Sequence, residues 1–109
     1  MTANHFRKLA LSLPEVVESS HFNHPDFRVR NKIFATLGYP DERRGMVRLT
    51  TEQQAAILHA EPDTFRPAAG GWGRSGSTTV LLSAAAAARL RPILRQAWEN
   101  IAAPPKRPR

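Results

Sequence analysis

The chain has no cysteine. Disulfides, iron–sulfur clusters, thiolate zinc sites and cysteine nucleophiles are therefore excluded. It also lacks any apolar run near the ~18 residues that a membrane-spanning helix needs. The stretch Leu9-Ala-Leu-Ser-Leu13 follows a basic pair but stops at Pro14, which is too short for a secretory signal. The expectation is a cytoplasmic protein with no membrane partner. Acidic residues are scarce as well: nine Asp and Glu stand against sixteen Lys and Arg, for a formal net charge of +7.

What remains is enough for one domain. At 109 residues the chain can bury roughly two-thirds of its unfolded surface, so one real core forms without staples. A single domain is expected over residues 1–103, followed by a basic, Pro-rich tail over 104–109. Thirteen of the sixteen basic residues are Arg, the better residue for bidentate phosphate or carboxylate contacts. An Ala- and Arg-rich composition also arises from genome base composition, so net charge alone names no partner.

The periodicities give an α+β order. Phe6, Leu9, Ala10 and Leu13 share one helical face, which predicts a helix from about Ala3 to Leu13, ended by Pro14. Val16 to Phe22 reads as a short strand. Asp26–Arg30 and Ile33–Leu37 read as strands turned at Asn31, a residue that tolerates positive φ. Two registers stay open there. A three-residue loop puts Phe27, Val29, Ile33, Ala35 and Leu37 on one face. A two-residue Arg30-Asn31 loop moves Phe34 onto the face of Phe27. Met46–Leu49 is the next strand, and Thr51-Glu-Gln-Gln54 has the capping-box pattern of a short helix ending near Ala60. Phe65–Pro67 and Ser77–Leu82 read as strands around a Gly-rich loop, Ala68–Gly76. Ser83 is a candidate cap for a last helix striped with Leu90, Ile93, Leu94, Ala97, Trp98 and Ile101. Pro92 either kinks that helix or lies in its first turn. The predicted fold is α+β and two-layered. An antiparallel sheet has helices packed on one face, and N- and C-terminal helices flank the strands.

Catalytic and cofactor motifs fail their context tests. Gly71-Trp-Gly-Arg-Ser-Gly76 matches G-x-G-x-x-G, but a strand is predicted after it rather than a helix. Residues 91–98 also lack the acidic partner of a dinucleotide site. A hairpin tip is the better reading, with Trp72 and Arg74 either exposed for stacking or folded back onto the sheet. His21 and His24 are the one histidine pair with ligand spacing, and a metal site needs three or four converging ligands. The carboxylates fall at turns and caps. No catalytic residue, metal or cofactor is expected, and the protein is not expected to be an enzyme.

The basic residues Arg28, Arg30 and Lys32 on one hairpin, Arg43 and Arg44 on the next loop, Arg48 on the following strand and Arg74 in the Gly-rich segment are the candidate site, with Trp72 as a wedge or stacking residue. If the hairpin tips lie at one edge of the sheet, these charges form one patch for phosphates.

Three stretches in order resemble the MmcQ/YjbR-like family of small bacterial proteins. They are Leu11-Ser-Leu-Pro-Glu-Val16, Phe27-Arg-Val-Arg-Asn-Lys-Ile-Phe-Ala-Thr-Leu37, and Phe65-Arg-Pro67 through Gly70-Gly-Trp-Gly73 to Thr79-Val-Leu81, followed by the Ala97-Trp98 helix. The resemblance implies a frataxin-type α+β domain with a double-wing DNA-binding motif. Lys32 and Phe34 match the family's Lys-x-Phe, and Trp72 falls in its Gly-rich segment. Frataxin-like iron binding would need an acidic ridge that this basic chain lacks. The resulting expectation is a non-specific DNA-binding module acting through basic β-hairpins, as monomer or homodimer. The alternative is a protein-interaction domain using the open sheet face, with Phe34 in an exposed patch.

Overall fold

Residues 1–102 are described by a computed structural model. The basic tail expected over 104–109 lies outside the described residues. The elements run α1 (Ala3–Leu11), β1 (Val17–His21), β2 (His24–Val29), β3 (Lys32–Leu37), β4 (Arg44–Arg48), α2 (Thr51–Ala60), β5 (Phe65–Pro67), α3 (Gly70–Arg74), β6 (Ser77–Leu81) and α4 (Ala87–Ala102). The strands form one sheet in the order β1-β2-β3-β4-β6-β5, and every neighbouring pair is antiparallel. The fold is thus the α+β architecture that the periodicities predict.

Strand alternation decides which side is buried. Phe27, Val29, Leu37, Val47, Phe65 and Val80 point to one face and pack with Phe6 of α1 and Leu90, Ile93 and Leu94 of α4. That face is covered by α1, α2 and α4, while the opposite face carries no long helix.

The β2–β3 hairpin combines both registers drawn from the sequence. Its turn has two residues, Arg30 and Asn31, with φ of 51° and 64°, as a tight I′-type turn requires. Val29 pairs with Lys32 and Arg28 with Ile33, but Phe27 pairs with Ala35. Phe34 is the extra residue of a β-bulge. The short turn brings Phe34 into the core, and the bulge returns Ala35 and Leu37 to the same side. Phe34 is fully buried, so it belongs to no exposed patch.

Four local expectations shift. Helix α1 stops at Leu11, with Ser12 as its cap. The capping box of α2 is Thr50 with Gln53, one residue earlier than the Thr51–Gln54 pair. Both pairs have the right spacing, and Gln54 is instead drawn into the interior by three acceptors. Ser83 does not cap α4. It sits in a one-turn 3₁₀ segment, Leu82–Ala84, and α4 begins at Ala87. Pro92 lies inside α4, beyond the first turn and on its exposed side, where the lost N–H leaves a carbonyl that water can reach.

Candidate functional site

The uncovered sheet face is basic because of strand register. Arg44 and Arg48 lie two positions either side of Met46 on β4, Arg66 on β5 pairs with Thr79, and Arg28 on β2 pairs with Val17 and Ile33. These side chains all emerge on the open face. Asp26 is the one carboxylate that the register places among them, and it is 0% exposed.

Asp26 is already occupied. Its Oδ1 accepts from Arg28 Nε at 2.8 Å, and its Oδ2 accepts from Arg28 Nη2 at 3.1 Å and bonds His21 Nδ1 at 2.8 Å. Burial pushes the carboxyl pKa up, but hydrogen bonds from Arg28 and His21 and their charges outweigh it, so the net shift is downward. An ionised Asp26 accepts only, so His21 Nδ1 is the donor in this bond. Arg28 is thereby a half-buried structural partner rather than a free phosphate ligand.

A groove of about 250 Å³ opens on this face. Ile33 and Met46 form its apolar floor; Phe22, Tyr39 and Trp72 stand around it with His21, Arg48 and Ser77. A chain of edge-to-face rings runs along one side: Phe22 to His21 at 6.0 Å, His21 to His24 at 6.2 Å, and His24 to Tyr39 at 6.0 Å. On the other side the Arg48 guanidinium lies 5.8 Å from the Trp72 ring centroid, within cation–π range.

Trp72 is held there by α3, which the sequence suggested was a loop. Its five residues, Gly-Gly-Trp-Gly-Arg, contain three glycines, the poorest helix formers after proline. Tertiary contacts supply the order. Gln54 Nε2 donates to the Gly73 carbonyl at 3.0 Å, to the Ser77 carbonyl at 3.1 Å and toward Thr78 Oγ1 at 3.2 Å. A Cβ on Gly73 would overlap the Ala68 carbonyl oxygen. One on Gly76, at φ +111°, would overlap the Leu49 carbonyl oxygen. The G-x-G-x-x-G pattern is therefore a packing motif that lets three backbone segments meet. Trp72 itself is 61% exposed, not core.

The candidate arginines do not form one tip patch. Consecutive turns of an antiparallel meander must lie at opposite ends of the sheet. Arg30 lies in the β2–β3 turn and Lys32 directly follows it, whereas Arg43 and Arg44 stand at the far end of β3, roughly 20 Å away for six strand residues. Arg30, Lys32 and Arg74 are exposed. Arg43 is bound to Asp41 through both its guanidinium and its backbone N–H. The face that joins the two ends is built by Arg44, Arg48 and Arg66. The alternation Arg44-x-Met46-x-Arg48 already carried this signal for β4. Phe22 and Tyr39 gave none, since each lies in a turn or loop whose path depends on the sheet. Among the described residues no cluster of three His, Asp or Glu is arranged to hold a metal ion, and none of the described helices is long and apolar enough to cross a membrane.

Comparison with known proteins agrees with this architecture. No curated protein matches the sequence. Among solved structures, the chain is similar to the crystal structure of Deinococcus radiodurans protein DR2400, which carries the family-model domain DUF419. The two share 19% sequence identity at a TM-score of 0.78, over 94% of this chain and 79% of that one. The family model described as YjbR matches residues 11–100. That span takes in the whole sheet, α2, α3 and most of α4, and on this evidence the chain belongs to the YjbR family.

Proposed function

We propose that this protein is a nucleic-acid-binding module that works by binding rather than catalysis, through the open face of its sheet. The observation that supports the reading is the placement of Arg44, Arg48 and Arg66 on one face, where Asp26, the one acid that the described strand residues place there, is buried and paired. Such a surface attracts a polyanion and has few groups to repel it. The reading keeps DNA as the partner expected from the sequence but moves the contact from the hairpin tips to the strands. Arg30 and Arg74 extend one end of the surface, whereas Lys32, opposite Val29, is placed by the register on the helix-covered side.

Titration with labelled DNA across a salt series tests it. Affinity should fall steeply as salt rises. Replacing Arg44, Arg48 and Arg66 together with Ala should flatten the log–log salt slope by about two to three. A slope unchanged by that triple substitution would sink the assignment.

A second reading, protein docking on the same face, is favoured by Val17 and Phe22, which are large, apolar and exposed. It predicts a salt-insensitive association that Phe22→Ser abolishes.

A further inference from the structure

We propose that the groove between Phe22 and Trp72 receives an unstacked nucleobase, so that the preferred ligand is a single strand rather than a duplex. The inference deepens the nucleic-acid reading above and rests on it. Three independent observations support it.

The first is the shape and lining of the groove. Its floor is apolar and its sides are aromatic, which suits a flat heterocycle stacked on a ring face. At about 250 Å³ it is smaller than the ~300–1,000 Å³ typical of sites for drug-sized ligands. One ring system fits that space.

The second is Phe22. It sits in the β1–β2 turn at φ +50° and is 90% exposed. A bulky aromatic in the left-handed region is an outlier. Here it gains no core contact in return, since almost the whole side chain faces solvent. The two-residue Phe22-Asn23 turn needs positive φ at both positions, as at Arg30-Asn31, and it leaves the Phe22 ring free at the edge of the groove.

The third is the polar equipment at the rim. Arg48 already lies over Trp72 at 5.8 Å, so a base stacking on this tryptophan meets a cation within reach of its phosphate. His21 adds a polar edge. Its Nδ1 is taken by Asp26, and no group among the described residues bonds Nε2, so the polar edge of a base finds a partner on the groove wall. The bases of a duplex are paired to a partner strand and stacked on their neighbours, so they offer no free face to Trp72 or Phe22. An unpaired base meets neither obstacle.

The test uses the full chain and three labelled probes of equal length: a single-stranded oligonucleotide, the same strand without bases, and the duplex. The single strand should bind at least about tenfold tighter than either of the others. Trp72→Ala should erase most of that preference, Phe22→Ala part of it, and Trp72→Phe should restore it. Trp72 and Phe22 are exposed, so these variants keep the core, and circular dichroism confirms the fold. Equal affinity for the single and the abasic strand, or a preference that survives Trp72→Ala, overturns the groove and leaves the basic-face reading standing. No salt-dependent binding to any of the three probes overturns both.

Discussion

Gln54 and Gly73 are joined by a buried hydrogen bond of 3.0 Å, amide to carbonyl, across nineteen residues of sequence. The same amide serves Ser77 and Thr78. One side chain therefore fixes the helix that presents Trp72. Replacing it with Leu removes these bonds, while the Gly73 and Ser77 carbonyls keep the backbone N–H groups of Gly76 and Ala68, so each loss costs about 0.5–1.5 kcal/mol rather than the penalty of an orphaned acceptor. Urea denaturation of Gln54→Leu should show a loss of roughly 2 kcal/mol. Amide exchange should rise first over residues 70–76.

The three glycines of the G-x-G-x-x-G pattern should respond unequally. Gly73→Ala and Gly76→Ala drive a Cβ into backbone carbonyls, which a flexible side chain cannot relieve. Each should destabilise by about 2–4 kcal/mol, the range of severe single substitutions. Gly71 has only the far end of Arg74 within reach of a new Cβ, and Gly71→Ala should be neutral or stabilising by up to ~1 kcal/mol. A phosphate-cradling loop would instead lose ligand binding at all three positions while keeping its stability. Thermal melts of the three variants separate the cases.

Asp26 makes stability depend on acid. Its folded pKa lies below its ordinary value of 3.8, so the folded state binds that proton less readily than the unfolded chain does. The contribution is complete above the ordinary value and is lost as pH falls through it toward the lower folded value. Unfolding free energy should therefore drop below about pH 4. Asp26→Asn should flatten that limb. Near neutral pH the same change leaves Arg28 beside a neutral partner. Breaking a buried pair costs about 3–5 kcal/mol, and the partial exposure of Arg28 and His21 should hold the loss to roughly 2–3 kcal/mol. Denaturant titrations at several pH values read both effects.

Arg43 and Arg44 are neighbours with opposite prospects. Arg43 is tied to Asp41 in an exposed ion pair, and binding a phosphate means surrendering that partner. Arg44 stands on the open face opposite Leu81, with no ion pair among the described residues. Arg44→Ala should weaken DNA binding about threefold or more, and Arg43→Ala less than twofold, at the same salt. Equal losses in fluorescence polarisation would return the contact to the loop.

Much of the fold was legible because alternation and helical stripes survive in short segments. Phe27, Val29, Leu37 and Val47 announce a half-buried sheet, and the Leu90–Ile101 stripe announces its covering helix. What escaped was set by long-range contacts. The bulge at Phe34 buries that ring in the core shared by the sheet, α1 and α4, and no local residue marks it. The helix at Gly70–Arg74 contradicts its own propensity and exists because Gln54 and Ala68 hold it. Trp72 was as readable for core as for surface until α3 turned it outward. The candidate site was legible as a set of arginines but not as a surface, because a list of basic residues does not say which end of a strand each occupies.

The position of Arg30 and Arg44 at opposite ends of β3 turns that strand into a ruler. A ligand that touches both must cover roughly 20 Å, the length of six strand residues. At the duplex spacing of ~3.4 Å per phosphate along one strand that is about six nucleotides, and fewer for a strand pulled straight. The minimum footprint is therefore written in the length of a β-strand. Shorter oligonucleotides engage one end of the face and longer ones add little once both ends are filled.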